Sequence, residues 1–364
     1  MKKNSSIAKS STRRSKSRSN GRMTIGMDLG DKTSRICVLS EGGEVIQERS
    51  VPTTKKGLQQ MFAGLPCCRI ALEVGTHSPW VSRQLKGYGH EVIVANARQV
   101  RLISESSRKN DKLDARTLAR LARVDPELLR PIHHRSEQAQ MDLMVVRERA
   151  ALVEARTGLV NAARGLAKSV GERLNQCDAD QMGLERIADV PAALGETLKP
   201  LLKQIEGLTE AIKECDKRIE QIARDYPETE LLRQVHGVGT LIAVTFVLTI
   251  EDKQRFAKSR DVGCYVGLRP KQSESGERQP ELRITKEGDA YLRTLLVQGA
   301  HCVLSRRAPD TDLKRWGTKL AGRGGKNAKK RAVVAVARKL AIVLHHLWVS
   351  GEVYEPLKHA QAAA

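Results

Sequence analysis

The sequence predicts an α/β domain, then a long helical segment, then a second and mostly helical domain. Three observations predict this order. Strand-like and helix-like patterns alternate in the first third of the chain, residues 136–225 contain no aromatic residue, and aromatics and glycines return beyond Pro227. At 364 residues and 40% hydrophobic composition, the chain is long enough for two or three domains with real cores.

The first domain opens with three strand patterns, MTIGMDLG, SRICVLS and GEVIQER, with glycine turns between them. After these the pattern changes to alternation: a helix is predicted over 55–64, a strand over 68–74, a helix over 78–88, a strand over 91–96, and helical segments to about 124. Three antiparallel strands followed by strand-helix alternation are the outline of a ribonuclease-H-like α/β fold.

The middle segment repeats apolar residues at alternating spacings of three and four. These residues are Leu201, Ile205, Leu208, Ile212, Cys215, Ile219 and Ile222. Such a heptad seam predicts a coiled coil or a helical hairpin. A seam between two subunits and an antiparallel pair within one chain explain the pattern equally well.

The last domain begins at HGVGTLIAVTFVL, residues 236–248, where a glycine turn precedes an apolar helix. This pattern is typical of a helix-hairpin-helix element, in which backbone N–H groups approach a DNA phosphate. A second basic turn, GRGGKNAKKR at 322–331, precedes another apolar helix and favours the same interpretation.

The formal charge of +21 is concentrated at the two ends of the chain. Residues 1–22 hold eight Lys and Arg and no acid, and residues 228–364 have a net charge of +10, whereas residues 136–227 have a net charge of −3. Lys and Arg surfaces gain affinity for polyanions through phosphate neutralisation, so a nucleic acid is the expected partner. The alternative is a basic protein with scattered solvated charge. The Ser, Arg and Lys composition of the leader predicts disorder.

The expected location is the cytoplasm, in association with the nucleoid. No apolar run approaches the length that a bilayer requires, and no signal-type hydrophobic segment follows the basic leader. Seven cysteines without a CxxC pair are typical of a reducing compartment and do not predict a zinc site.

Four acidic residues form the candidate catalytic group. Asp28 and Glu73 end two predicted strands, and chemistry in α/β sheets collects beyond the carboxyl ends of strands. Asp111 and Asp114 are three residues apart on a predicted helix and therefore share a face. Because like charges repel, four carboxylates around one volume imply divalent cations, and two Mg²⁺ ions would serve phosphodiester cleavage or transfer. The alternative is that Asp28 caps a turn and Asp111 caps a helix.

The segments GMDLG, ALEVGTHS and RKNDKLDARTLARL, which contain these four acids, together resemble the DEDD core of transposases of the insertion-sequence one-ten family. HGVGTLIA, RFAKSRDVGCYVGLRP and SESGERQPELRITKEGDAYLRTLLVQGA resemble the carboxyl-terminal domain of the same family. The resemblance covers residues 23–350.

The resemblance implies a RuvC-like nuclease domain, a coiled-coil domain and a serine-bearing transposase domain. The corresponding boundaries are a basic leader at 1–22, the three domains at 23–135, 136–227 and 228–350, and a tail at 351–364. It also implies Mg²⁺-dependent recombination by a composite site between subunits, so that the chain acts on donor and target DNA as a dimer or tetramer through the coiled coil, directed by a noncoding bridge RNA.

The same resemblance makes Ser275 the nucleophile, because the family has a serine followed by glycine there. The family pattern continues with a second glycine, whereas Glu277 stands here, and Ser273 is two residues away. From the residues alone, Ser275 is a polar turn residue.

Three other functions fit parts of the sequence. IGMDLGDKTSRICVL also resembles the first phosphate loop of actin-like and sugar-kinase ATPases, but the heptad segment replaces the second nucleotide-binding half that such proteins need. A Holliday-junction-type endonuclease would use the four acids without a covalent serine step. A DNA-bridging protein without enzymatic activity would use only the basic ends and the coiled coil.

Overall fold

A computed structural model of the chain describes residues 22–96, 111–272 and 282–358, and gives the backbone alone for 111–113. The predicted basic leader lies outside the described residues, apart from Arg22. The chain separates into two compact units, Met1–Arg135 and Ser136–Ala364.

The first unit is built on a five-stranded sheet of order β3-β2-β1-β4-β5. Strands β1 and β2 pair antiparallel, as do β2 and β3, whereas β1, β4 and β5 are parallel. The predicted mixed α/β domain is therefore confirmed, with element ends within three residues of those predicted. The strands are β1 Thr24–Asp28, β2 Thr33–Leu39, β3 Val45–Pro52, β4 Arg69–Glu73 and β5 Glu91–Ala95, and the described helices are α1 Lys55–Phe62, α2 Ser78–Gly87 and α3 Asp111–Val124.

Helices cover both faces of the sheet except at strand β3, which is largely exposed, and alternate residues of each strand point to opposite faces. One face packs against helices α1 and α2 and contains Ile25, Met27, Ile36, Val38, Ile70 and Leu72. The other face packs against α3 and contains Cys37, Leu39, Ala71, Ile93 and Ala95. The helix presents mostly alanines to that face, so its backbone can approach the sheet closely.

Gly26 fixes the position of α3 on β1. A Cβ atom at this residue would lie 1.9 Å from the carbonyl oxygen of Ala115 and 2.5 Å from the backbone nitrogen of Ala119. No real Cβ tolerates such distances, so only glycine allows the helix to lie directly on the strand.

The second unit begins with a long helical hairpin of α4, Glu137–Ser169, and α5, Ala192–Asp225. Ala139 and Val146 of α4 share a buried cluster with Ala223 of α5, and Val160 shares another with Leu202. The first residues of α4 thus pack against the last residues of α5, which makes the pair antiparallel.

The residues of the heptad seam contribute to the packing of this hairpin. Ile205, Ile212, Cys215 and Ile219 are buried inside the chain, and Leu201, Leu208 and Ile222 are partly exposed. The structure therefore has the antiparallel pair within one chain.

The described remainder of the second unit is mostly helical, in agreement with the prediction. Gly237, in the predicted helix-hairpin-helix turn, has a φ of +87°, and a Cβ there would lie 2.6 Å from the carbonyl oxygen of Gly299. Packing against a neighbouring helix therefore explains this glycine. The α-helices are α6 Glu228–Arg233, α7 Thr240–Ile250, α8 Val262–Tyr265, α9 Ala290–Val303, α10 Asp312–Ala321 and α11 Ala328–Ser350.

Within the described residues, α11 alone is long and apolar enough to span a membrane by length and composition. Its residues Val336, Leu340 and Leu344 are completely buried in the core of the second unit. A buried core helix satisfies the same length and composition criterion.

Replacing Gly26 with alanine is expected to destabilise the first unit by about 1 to 3 kcal/mol, because the added methyl group must push α3 away from β1. Urea unfolding of the variant measures this change. Gly64→Ala is the matched control, since a Cβ at Gly64 would have no atom within 4 Å. Equal stability of the two variants would contradict the close seating of α3.

Candidate active site at the carboxyl edge of the sheet

Asp28 and Glu73 are the last residues of two neighbouring parallel strands, β1 and β4. The register pairs Gly26 with Ala71 and Met27 with Leu72, and the two acids follow one residue later on each strand. Strand spacing therefore separates their backbones by about 4.8 Å. Both acids are partly buried and lie at the same edge of the sheet.

Both acids lie on the face that α3 covers, because each is two residues beyond a residue that packs against this helix, Gly26 or Ala71. The direction of α3 follows from Arg69, the first residue of β4, whose guanidinium donates to the carbonyl oxygen of Ala122 at 3.0 Å. The end of α3 thus lies where the parallel strands begin, and its start lies at their carboxyl edge.

The start of α3 contributes the other two predicted acids to this edge. Asp111 is the first residue of the helix and precedes Ala115, which contacts Gly26, by about one turn. Asp114 is partly buried beside Ala115. The fold therefore brings the backbones of all four predicted residues to one edge of the sheet.

A complete metal site is not formed by the described side chains, among which no three carboxylate, imidazole or thiol groups are placed to hold one ion. The carboxylate of Asp111 lies outside the described atoms. The four-acid site therefore stays a prediction. The donor chemistry fits Mg²⁺, which prefers carboxylate oxygens and retains several water ligands.

The loops that follow the two acid-bearing strands are joined by a hydrogen bond between His77 Nε2 and Asp31 Oδ1, at 3.3 Å. Trp80 Nε1, which can only donate, contacts His77 Nδ1 at 3.1 Å. Nδ1 must therefore accept, and the imidazole proton on Nε2 is donated to Asp31. This chain of three side chains holds the two loops together beside the acids.

Ser78 fixes the loop after Glu73 from within. Its buried hydroxyl donates to the carbonyl oxygen of Gly75 at 2.7 Å and accepts from the backbone N–H of Gly75 at 3.0 Å. His134 Nε2 lies 2.9 Å from the same hydroxyl. Because the single hydroxyl proton is used by Gly75, Nε2 must donate to Ser78.

Burial, and after it the nearby positive charges of Arg83, Lys86 and Arg135, together lower the pKa of His134 to about 4. The imidazole is therefore neutral at physiological pH. Sequence reasoning did not identify His77, Ser78 or His134. The position of His77 and Ser78 directly after Glu73 was the available signal for two of them, and nothing in the sequence indicated that His134 contacts this loop.

Ser275 and its neighbour Ser273 lie outside the described residues. The segments on either side of them pair as short antiparallel strands: the N–H of Lys271 donates to the carbonyl of Arg283, and the N–H of Thr285 donates to the carbonyl of Arg269, both at 2.9 Å. Arg269, Lys271 and Arg283 are exposed. A basic surface therefore flanks the serine segment within the second unit.

The lowered pKa of His134 predicts a pH-dependent part of the stability. The unfolded chain takes up a proton near pH 6.5, whereas the folded protein resists it down to about pH 4. The contribution of neutral, buried His134 to the free energy of unfolding is therefore complete above pH 6.5, and it is lost as the pH falls toward 4.

His134→Gln, whose amide can replace the Nε2 donor without titrating, is expected to reduce the loss of unfolding free energy between pH 7 and pH 4.5. Urea unfolding at the two pH values measures it, with the exposed neighbour His133→Gln as the control. An unchanged pH dependence in His134→Gln would show that burial of His134 has no such effect.

The chain is similar in sequence to known transposases. A family model described as Transposase matches residues 25–171, and a second, described as Transposase IS116/IS110/IS902 family, matches residues 229–314. A probable family 20 transposase of Pseudomonas aeruginosa is 28% identical over 340 residues, which are 91% of this chain and 98% of that protein. The transposase for insertion sequence element IS1111A of Coxiella burnetii is 28% identical over 91% of this chain and 90% of its own length. With two family models matched in order and relatives aligned over nearly its whole length, the chain belongs to the IS116/IS110/IS902 family of insertion-sequence transposases.

Proposed function

We propose that this transposase cuts and exchanges DNA strands with Mg²⁺ held by Asp28, Glu73, Asp111 and Asp114. The observation that carries the proposal is the register of Asp28 and Glu73 on neighbouring parallel strands, with the start of α3 at the same edge. The sheet has antiparallel pairs on one side, β3-β2-β1, and parallel pairs on the other, β1-β4-β5. This order also supports assignment of the unit to the ribonuclease-H-like, RuvC-like fold.

The four carboxylates would hold the ions, and the positive charge of the ions would offset the repulsion among the carboxylates. Mg²⁺ bound there would stabilise negative charge on the attacking and leaving oxygens of the phosphodiester. The hydrogen bonds of His77 and Ser78 would keep the loops after Asp28 and Glu73 in place while DNA binds. Preorganised groups of this kind require no rearrangement during the reaction.

Ser275 is the proposed nucleophile, in a composite site with the four acids. Its Oγ would form a bond to phosphorus, the hydroxyl proton would leave, and the bond from phosphorus to a deoxyribose oxygen would break, with a proton taken up by that oxygen. The serine ester would conserve the energy of the broken bond, so rejoining needs no ATP. The exposed bases Arg269, Lys271 and Arg283 would hold the DNA backbone near this segment.

We further propose a noncoding bridge RNA that pairs with donor and target DNA, and a homo-oligomer that works at the nucleoid in the cytoplasm. The family resemblance supports both proposals. Because the buried stripe of α5 packs against α4 in the same chain, an oligomer would use other surfaces of the hairpin.

Asp28→Asn and Glu73→Gln are each expected to abolish cleavage and strand exchange on a duplex that contains the insertion-sequence ends, because each removes a ligand charge with little change in volume. The assay is gel electrophoresis of labelled DNA with and without Mg²⁺. Glu44→Gln, an exposed acid in the β2–β3 turn, is the control and should retain activity. Full activity of Asp28→Asn would contradict the proposed metal site, and inactivity of the wild type would leave only DNA bridging.

Ser275→Ala is expected to bind DNA normally but to form no covalent protein–DNA adduct under denaturing electrophoresis. Ser273→Ala is the matched control and should form the adduct. An adduct lost only in Ser273→Ala would identify that serine instead. Cleavage without any adduct in the wild type would indicate a junction-type endonuclease in which water attacks.

RNA that copurifies with the wild-type protein is expected to contain one segment complementary to the donor DNA and another complementary to the target DNA. Sequencing of that RNA tests the guide directly. Recombination in its absence, with fully purified protein and DNA, would contradict the proposal.

A further inference from the structure

Arg35 is the cross-strand neighbour of Asp28. The antiparallel register of β1 and β2 pairs these two residues directly, and β3 places Ser50 on the other side of Arg35. Paired residues point to the same face of a sheet, with Cβ atoms about 5 Å apart. A guanidinium therefore stands in one row with the two proposed metal-binding acids at the end of β1 and β4.

The face on which Arg35 lies is fixed by its neighbours along β2. Ile36 is buried in the core beneath α1 and α2, whereas Cys37 is buried beneath α3 with Ala115. Because successive residues alternate, Arg35 shares the face of Cys37, which is also the face of Asp28.

Helix α3 covers this face at the paired residues Gly26 and Cys37 but leaves it open at Arg35, two residues nearer the carboxyl end of β1. The cross-strand set that contains Gly26 and Cys37, here called the inner row, lies beneath α3. Arg35 belongs to the next set on this face, with Asp28, and is exposed. Glu48, the acid nearest in the inner row, accepts two hydrogen bonds from Arg116 of α3, at 2.8 and 3.0 Å. In the part of the chain that the structure describes, no acid forms an ion pair with Arg35.

We propose that Arg35 contacts the phosphodiester that is cut at the carboxyl edge, through a non-bridging oxygen of the phosphate. The inference rests on the proposed function, because it needs a DNA phosphate beside Asp28 and Glu73. A planar guanidinium binds phosphate oxygens with two parallel hydrogen bonds, and its charge offsets the negative charge that grows on these oxygens during the reaction. The acids on β1 and β4 would hold the metal, and Arg35 on the neighbouring strand β2 would hold the phosphate.

A single-turnover cleavage assay on the insertion-sequence-end duplex tests this role. Arg35→Ala is expected to slow cleavage by about 100-fold or more, as removal of one such donor does elsewhere. Arg49→Ala is the matched control, because Arg49 is exposed on the adjacent strand β3 but pairs with Ile36 and so lies on the opposite face. It should cleave at the wild-type rate. Thermal unfolding verifies the fold, and Arg35→Gln replaces Arg35→Ala if the latter unfolds.

A second readout separates contact with the phosphate from a structural effect. A duplex with a neutral methylphosphonate at the cut position lacks one charged oxygen. It is expected to slow the wild type by a clearly larger factor than it slows Arg35→Ala, since the variant has already lost this contact. An equal methylphosphonate effect in both proteins, or wild-type cleavage by Arg35→Ala, would overturn the inference.

Asp28→Asn in the same assay distinguishes failure of the proposed metal site from failure of the proposed role of Arg35. If Asp28→Asn cleaves like the wild type, the proposed site itself is wrong and the inference about Arg35 is wrong with it. If Asp28→Asn is inactive and Arg35→Ala is fully active, the proposed function stands and the role of Arg35 is wrong.

Discussion

Helix α3 lies so close to strand β1 that residue 26 has no room for a side chain, since a Cβ there would be 1.9 Å from a helix carbonyl oxygen. Its small buried residues, Ala115 and Ala119, make this approach possible on the helix side. The contact fixes both the height and the direction of α3 on the sheet. Everything at the carboxyl edge depends on it, because the first turn of α3 reaches the ends of β1 and β4 only in this seating.

The strand register places a row of charged groups side by side at the edge of the sheet that the start of α3 reaches. The row contains Arg35, Asp28 and Glu73 on three adjacent strands, and α3 begins beside it with two more acids. The loops beyond the row are tied by the hydrogen bonds of His77 and Ser78. If the proposed site is correct, the edge would combine oxygen ligands for a hard cation with a donor for a phosphate, which suits chemistry on a DNA backbone.

The strands and the position of Asp28 and Glu73 could be predicted from sequence because both depend on local patterns, namely alternation and the ends of apolar runs. The partner of the heptad stripe could not be predicted, since Ile205 and Ile212 show the same spacing whether they face a second subunit or α4. Arg35 was missed because its meaning lies in the register with Asp28, and register is a tertiary property. His134 was missed for the same reason, as 56 residues separate it from Ser78.

The central claim is that the carboxyl edge of this sheet is a divalent metal site. Anomalous diffraction from crystals of the protein grown with Mn²⁺ in place of Mg²⁺ and with DNA bound tests it most directly. An anomalous peak is expected within coordination distance of carboxylate oxygens of Asp28 and Glu73, and this peak should be lost in Asp28→Asn. Bound DNA with no peak at this edge, or with its peak at other residues, would contradict the account.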